Sequence, residues 1–522
     1  MKLSLFIISL LMVPCVLTSC KDGKDGEAVA VDAVSTEYRI LEQLSTNDNE
    51  KNAFRNGYEG KAEELDHLYN RNHLSYYCMG AALAGNTKLV LKCIEKGGHP
   101  DEGLKGAAAG GHKELVKLLL DYNAGPNHGL FGAAVGGHKE IIELCFNKGA
   151  KPNAGLEGAA SAGRMDLVQL MLDKGASPSL GIVGAASTGQ MEIVKLLLDK
   201  GADPSEGLKL AARFNHRDIV QLLLDRGGDP DRALIGAAWS GHKDIVQLAL
   251  DRGADPDRGI EGAARGGHMD IVQSMLDLGA DPTAGLWGAS IGKRMDIIQL
   301  MLDKGADPNA GLISACVEGH IDIVRLMLKK GAKPNGGMEN ASLMGHINIV
   351  RMLLNEGADP NLGMKSAAKK GYMDIVQLLL DKGANPEEGI ADAAGSGHKK
   401  IVILLLDKGA SGNLALGVAA VADKKDIIKL LLDRGADPNY GLYGAIISGH
   451  VDIVRMMLKK GADASDGLVT AAKEGQTECV KLLLKQPNIN FYARSEGKTA
   501  LQHAEANGHT ECARLIRAAA NK

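Results

Sequence analysis

The stretch DPSEGLKLAARFNHRDIVQLLLDRGG, residues 203–228, is one copy of a 26-residue repeat that fills most of the chain. Its proline marks a register that continues through fifteen consecutive copies without an insertion, and only Gly412 and Ala464 replace the proline. The prolines in register are Pro100, Pro126, Pro152, Pro178, Pro204, Pro230, Pro256, Pro282, Pro308, Pro334, Pro360, Pro386 and Pro438. A fixed period of this size is typical of proteins built from stacked structural repeats.

Each copy predicts two short helices. In the first copy Leu104, Ala107 and Ala108 recur at helical spacing, and a second apolar run follows at 115–120. Residues 123–126 end in glycine and proline, which makes continuation of the second helix costly. Helices this short cannot bury both faces alone, so neighbouring pairs must stack. The sequence therefore predicts an all-α fold, an elongated α-solenoid of stacked helix-turn-helix repeats.

A column of glycines stands three residues after the register proline, as in Gly259, with Ala233 and Ala415 as exceptions. Glycine tolerates backbone dihedral angles that other residues avoid. We therefore expect this column to allow a tight turn into the first helix.

The repeat resembles that of the ankyrin family. The residues that carry the resemblance in one copy are Leu234, Ala237, Ala238, Gly241, His242, Ile245, Val246, Gly253, Ala254 and Asp255. Less regular helix pairs before residue 97 extend the similarity to about residues 49–518. The resemblance implies a non-catalytic module that binds other proteins.

The copies depart from the family in length. An ankyrin repeat has about 33 residues, so these copies are shorter by roughly seven. The missing part is the β-hairpin finger, which carries many partner contacts in the family, and binding is therefore expected to shift to the first helices. Only the last copy, where residues 490–502 restore the finger segment, is expected to form a hairpin.

These patterns divide the chain into five segments. They are a signal peptide at 1–20, a linker at 21–48, atypical N-terminal capping repeats at 49–96, an array of 26-residue repeats at 97–484, and a C-terminal repeat with its cap at 485–522.

The N-terminus predicts export. Lys2 precedes an apolar run at 3–17, which suits a signal-peptide core and is short for a membrane-spanning helix of about 20 residues. Residues 17–20, LTSC, resemble the lipobox of bacterial lipoproteins, in which the signal is cut before the cysteine and the thiol is lipidated. We predict lipidation of Cys20 and a membrane-anchored place in the cell envelope, periplasmic or at the surface. An ordinary cleaved signal with free secretion and an uncleaved anchor are the alternatives.

Charge and motifs argue against several other functions. The net charge of −4 gives no basic field for a nucleic-acid backbone. The sequence has no phosphate-binding glycine loop, nucleophile elbow or metal-binding motif. We therefore expect no enzyme activity, no cofactor, no metal and no nucleic acid, with membrane contact through the N-terminus alone and a monomeric chain.

Histidine and cysteine follow the repeat, which favours structural roles. Ten histidines share one position at the start of the second helix, too far apart to share a metal ion, and are expected to cap that helix or bond to a neighbouring loop. Cysteines 78, 93, 145, 316, 479 and 512 fall on apolar positions and are expected in the core as free thiols, with a bridge between Cys78 and Cys93 as the alternative.

The first helix carries the residues that vary between copies. Two variable positions four residues apart share one helix face in each copy. The residues that we predict to bind a partner are Phe131, Lys209, Arg213, Ile235, Trp239, Arg265, Trp287, Ile291, Ile313 and Tyr443, and both tryptophans of the chain are among them. In the alternative interpretation, these side chains pack against neighbouring first helices once the fingers are gone.

Three functions follow from these patterns. The first is an exported, lipid-anchored scaffold that binds an unidentified protein through the first helices. The second, by family analogy, is an inhibitor or immunity-type protein that blocks a toxic or hydrolytic enzyme in the cell envelope. The third, an enzyme or small-ligand receptor, needs a pocket with converging polar groups, and nothing in the sequence predicts one.

Overall fold

The computed structural model describes residues 48–65, 68 and 71–521. The predicted signal, the residues of the linker before Asp48 and the Cys20 lipidation site lie outside these residues and remain predictions. The described chain divides into two compact units, with the boundary between Asp281 and Pro282.

Unit one is a stack of helix pairs, in which odd-numbered helices are first helices and even-numbered helices are second helices. Its helices are α1 Asp48–Tyr58, α2 Ala62–Leu65, α3 Arg71–Leu83, α4 Thr87–Glu95, α5 Pro100–Ala109, α6 Lys113–Asp121, α7 Pro126–Gly136, α8 Lys139–Asn147, α9 Pro152–Ser161, α10 Met165–Asp173, α11 Pro178–Ser187, α12 Met191–Asp199, α13 Pro204–Arg213, α14 Arg217–Asp225, α15 Pro230–Ser240, α16 Lys243–Asp251, α17 Asp257–Gly266 and α18 Met269–Asp277.

Unit two continues the same pattern and ends with a small hairpin and a last helix pair. Its elements are α19 Pro282–Ile291, α20 Met295–Asp303, α21 Pro308–Glu318, α22 Ile321–Lys329, α23 Asn335–Met344, α24 Ile347–Asn355, α25 Asn361–Lys370, α26 Met373–Asp381, α27 Glu387–Ser396, α28 Lys399–Asp407, α29 Asn413–Val421, α30 Lys425–Asp433, α31 Pro438–Ile447, α32 Val451–Lys459, α33 Ala464–Lys473, α34 Thr477–Leu483, β1 Arg494–Ser495, β2 Lys498–Thr499, α35 Ala500–Ala506 and α36 Thr510–Ala520. The all-α solenoid fold is confirmed, and the antiparallel hairpin lies in the last repeat as predicted.

Local sequence signals set the ends of each helix. In the quoted repeat the Asp203 carboxylate accepts a hydrogen bond from the Ser205 amide at 2.8 Å, and Pro204 takes the first helical position. This arrangement satisfies an amide left free at a helix start and uses the fixed φ of proline. The second helix ends before Gly227, whose φ is +85°, a conformation that favours glycine.

The core lies between the two layers of helices. Leu208, Ala211 and Ala212 of a first helix and Val220 and Leu223 of a second helix have no exposed surface. Equivalent residues repeat this arrangement throughout each unit. The apolar spacing seen in the sequence is therefore the spacing of the buried face.

First helices approach one another so closely that their backbones touch. A Cβ placed on Gly236 would lie 2.1 Å from the backbone oxygen of Lys209, and one placed on Gly132 would lie 2.1 Å from that of Lys105. Second helices of neighbouring pairs contact each other far less. Within each unit the first helices therefore form the narrow edge of a wedge-shaped repeat.

The glycine column at the start of the first helix has a different role from the one predicted. Gly259 lies inside α17 and is not among the residues with positive φ. A Cβ on it would lie 2.5 Å from the Met275 methyl carbon and 2.8 Å from Leu234 Cγ. The expectation of a turn was wrong, because close packing of side chains onto the helix, and not a special dihedral angle, excludes a larger residue.

The repeated histidines join neighbouring pairs. His138 makes no side-chain hydrogen bond to an amide at the start of α8. Its Nε2–H donates instead to the carbonyl of Ala109 at the end of α5, with a distance of 3.0 Å between the heavy atoms. The same bond recurs at the equivalent histidines, and Arg164 and Gln476 donate in their place where histidine is absent.

A second hydrogen bond joins repeats at the opposite end of the first helix. The Asn309 side-chain oxygen accepts from the Lys333 amide in the next repeat at 2.8 Å. Asparagine, aspartate or serine makes the same bond elsewhere in both units. Because every such bond crosses a repeat boundary, it stabilises the stack. These bonds leave the side of the first helix that faces away from the core free for other roles.

Candidate protein-binding surface

The side of each first helix that faces away from the core is formed by the third, sixth and tenth residues of the repeat, counted with the register proline as the first. We call them the inner-face residues, because the first helices form the narrow edge of each wedge. In the quoted repeat they are Glu206, Lys209 and Arg213. They lie opposite the buried Leu208, Ala211 and Ala212, as the helical period requires.

Near the start of unit one the inner face is filled by its own side chains. Phe131 is only 9% exposed and packs in a cluster of six buried residues. The other members of this cluster are Phe54, Met79, Leu83, Ala109 and Val135. The alternative interpretation therefore applies to Phe131, which is not available to a partner.

Two predicted arginines lie on either side of a predicted tryptophan in unit one. Trp239, on α15, is half-buried, and its neighbours at the same repeat position are Arg213 on α13 and Arg265 on α17. The guanidinium of Arg265 lies 4.6 Å from the centre of the indole ring, and that of Arg213 lies 5.8 Å from it. Both distances are within the range of a cation–π interaction.

Two further predicted residues surround this group. Ile235 is half-buried one helical turn before Trp239, and Lys209 is exposed on α13. The side chain of Glu261 on α17 is exposed. The surrounding protein nevertheless desolvates its carboxylate and raises its pKa, and the positive charge of Arg265 partly opposes this rise. The inner face of α13, α15 and α17 thus combines an aromatic centre with an uneven distribution of charge.

In unit two the predicted residues divide into two groups. Trp287 and Ile291 on α19 and Ile313 on α21 are half-buried. Tyr443 on α31 is 58% exposed, and two other large residues accompany it on the same face of that helix. These are Tyr440 and Ile447, which are 42% and 40% exposed.

The neighbouring helix α29 extends this apolar surface. Leu414, Val418 and Val421 lie on one face of α29 and are 60%, 39% and 45% exposed. A Cβ on Gly444 would lie 2.2 Å from the Gly417 oxygen, so α29 and α31 are in backbone contact. We call Leu414, Val418, Val421, Tyr440, Tyr443 and Ile447 the α29–α31 surface.

Of the α29–α31 surface, only Tyr443 was predicted from the sequence. The prediction followed two positions in each repeat and did not use the third residue, where Leu414 and Tyr440 stand. It also passed over the repeat in which Gly412 replaces proline and Val418 replaces the usual small residue at the seventh position. The unusual Gly412 and Val418 in this repeat were the sequence signal that could have pointed to an exposed apolar surface on α29.

The six described cysteines are free thiols and all are buried, as predicted. Burial raises the pKa of Cys145 and of Cys316 to about 12, and that of Cys479 to about 11. A thiol with a raised pKa is a poor nucleophile and a poor metal ligand at neutral pH. No group of three metal-binding side chains occurs among residues 48–65, 68 and 71–521.

Within that same part of the chain, every helix is too short or too polar to cross a bilayer.

Comparison with known protein families gives a match. A family model described as ankyrin repeats in three copies matches residues 156–232, 182–260, 208–285, 286–364, 364–441 and 442–522. Together these segments cover more than half of the chain. A search of curated proteins found no match.

Proposed function

Because this chain belongs to the ankyrin-repeat family, whose members generally mediate protein–protein interaction, we propose that it is a scaffold that binds a partner protein through its inner-face residues. The family is typically non-catalytic, in keeping with the absence of catalytic motifs from the sequence. Lipidation of Cys20 and a place in the cell envelope are part of the same proposal, and the LTSC segment supports them.

The α29–α31 surface is the observation that carries this proposal. Six large apolar side chains on two touching helices remain between 39% and 60% exposed. Contiguous apolar surface of this kind is costly to leave in water and marks interaction sites. Two of the six are tyrosines, a residue type that is enriched among the side chains that dominate binding energy.

Comparison of two tyrosines tests the proposal. Tyr443→Ala is expected to lower capture of the partner from the native cell envelope by about tenfold or more, since loss of a central aromatic costs at least about 2 kcal/mol at many interfaces. Tyr122→Ala is the matched control, because Tyr122 is 51% exposed and follows a second helix, away from the inner face.

Circular dichroism verifies that both variants keep their helices. Equal capture by Tyr443→Ala and the unmodified chain, with Tyr122→Ala also unchanged, would remove the α29–α31 surface from the proposal. A lower capture by both variants would indicate a general effect on the fold.

A further inference from the structure

Charge on the inner face of α13, α15 and α17 differs from that of the whole chain. The chain carries a net charge of −4, whereas the nine inner-face residues of these helices carry five positive charges and two carboxylates. The positive residues are Lys209, Arg213, Arg232, Arg258 and Arg265, the carboxylates are Glu206 and Glu261, and the remaining two are Ile235 and Trp239. All nine are exposed or half-buried.

Two of these cations have no carboxylate partner. Arg232 lies 3.4 Å from Glu206, and Arg258 lies 3.8 Å from Asp231. Lys209 and Arg213 make no ion pair with any residue in the described part of the chain. The inner face of α13, α15 and α17 thus holds positive charge that its own two carboxylates do not neutralise.

The tryptophan ring lies against two guanidinium groups. Arg213 and Arg265 both lie within 6 Å of the centre of the Trp239 ring. A guanidinium stacked on an aromatic ring loses less conformational freedom when it binds a carboxylate. Bidentate bonds from arginine to carboxylate are among the stronger hydrogen bonds in proteins.

We propose that the inner face of α13, α15 and α17 binds an acidic segment of the partner protein, with its carboxylates held by Arg213 and Arg265 beside Trp239. This inference rests on the proposed function and names the chemistry of the partner. Ile235, one helical turn before Trp239, offers apolar contact to a side chain between the carboxylates. A nucleic acid is disfavoured because Glu206 and Glu261 stand on the same face and would repel a continuous chain of phosphates.

The experiment uses a defined probe and the tryptophan as reporter. Trp287→Phe leaves Trp239 as the single tryptophan of the chain. Its fluorescence is followed while a blocked peptide is added in which glutamates alternate with alanine around one central leucine. The comparison probes are the same peptide with glutamine in place of glutamate, and a single-stranded oligonucleotide.

Two double variants, each made in the Trp287→Phe background, measure the contribution of the arginines. Arg213→Gln with Arg265→Gln is expected to lower affinity for the glutamate peptide about 100-fold, since a hydrogen bond to a charged group contributes roughly tenfold or more. Arg226→Gln with Arg252→Gln is the matched control. These arginines pair with Asp199 and Asp225, the last residues of α12 and α14, and the change in net charge is the same.

The proposal predicts binding of the glutamate peptide and at least tenfold weaker binding of the glutamine peptide. It also predicts little effect of the control variant. Equal binding of both peptides, equal loss in both double variants, or tighter binding of the oligonucleotide would overturn it. If the peptide fails to bind while Tyr443→Ala still reduces partner capture, this inference fails and the proposed function stands.

Discussion

At the scale of single residues, the repeated histidine is a structural link between helix pairs. A backbone carbonyl can only accept a hydrogen bond, so the histidine nitrogen next to it must carry the proton. His138 therefore satisfies the Ala109 carbonyl at the end of α5, the first helix of the preceding repeat, which no amide of α5 itself reaches. Gln476 makes the equivalent bond to the Ile447 carbonyl at 3.2 Å.

This role predicts different effects for two substitutions of His138. His138→Ala is expected to lower the free energy of unfolding by about 1 kcal/mol, because the Ala109 carbonyl loses its protein partner. His138→Gln should retain most of the stability, since glutamine donates at this position elsewhere in the chain. Urea denaturation followed by circular dichroism measures both, and equal losses would contradict the hydrogen-bond role.

The buried thiols predict resistance to alkylation. Because burial holds the pKa of Cys316 at about 12, its reactive thiolate is rare at about pH 8. We expect iodoacetamide to leave the six described cysteines unmodified in the folded chain and to label all six after denaturation, as measured by peptide mass spectrometry. Rapid labelling of Cys316 in the folded chain would show that this part of unit two opens readily.

The same pKa shift makes stability depend on alkaline pH. The thiol of Cys316 ionises near its usual pKa of 9 when the chain is unfolded, and near 12 when it is folded. The stability that the protonated Cys316 thiol contributes to the folded chain is therefore fully present below about pH 9, and it is lost as the pH rises toward 12. Cys316→Ala should show a smaller loss of stability than the unmodified chain over this interval, in denaturation curves at both ends of it.

At the scale of helices, glycine controls how closely first helices pack. The backbone contact of Gly444 with Gly417 leaves no room for a methyl group. A Cβ placed on Gly336, in α23 of the same unit, would have no atom within 4 Å of it beyond its chain neighbours and its own helix backbone, and the φ of Gly336 is not positive. Alanine variants of these two glycines therefore distinguish the effect of close helix packing from the effect of alanine's preference for the helix.

Gly444→Ala is expected to lower the free energy of unfolding of unit two by about 3 kcal/mol, because α29 and α31 must separate. Gly336→Ala should raise it by up to about 1 kcal/mol, since alanine restricts the unfolded chain and favours the helix. Chemical denaturation of the two variants measures both values. Similar effects of the two substitutions would contradict the account of helix spacing.

Most helices were predictable from the sequence, whereas their spacing was not. Pro204, Leu208 and the second apolar run fixed the limits of the helices, because capping and helical period are local properties. The role of Gly259 depended on Leu234 and Met275, which pack on it from other helices, and no local pattern reveals that contact. For the same reason Phe131 and Tyr443, at the same repeat position, differ in exposure from 9% to 58%.

At the scale of the molecule, two inner-face surfaces of different chemistry can be distinguished, one in each unit. The surface around Trp239 in unit one is basic with an aromatic centre, and the α29–α31 surface in unit two is apolar. Apolar contact supplies most binding free energy, whereas charge complementarity mainly selects the partner and its orientation. We therefore expect Tyr443→Ala to weaken partner binding more than the loss of Arg213 does.

The proposed membrane anchor is a property of the whole chain in its cell. Cys20→Ser is expected to abolish incorporation of radiolabelled fatty acid and to move the protein from the membrane fraction to the soluble fraction, since stable anchoring depends on the acyl chains. Cys15→Ser is the matched control within the same segment. Unchanged labelling and fractionation in Cys20→Ser would eliminate Cys20 as the anchor.

Photo-crosslinking from the α29–α31 surface tests the central claim most directly. Benzoylphenylalanine is placed at position 443 in one sample and at position 122 in another, and both are irradiated in the cells that make the protein. The account predicts a covalent adduct with one discrete protein from position 443 and none from position 122. Adducts from position 122 alone, or no adduct from position 443 in the folded protein, would contradict it.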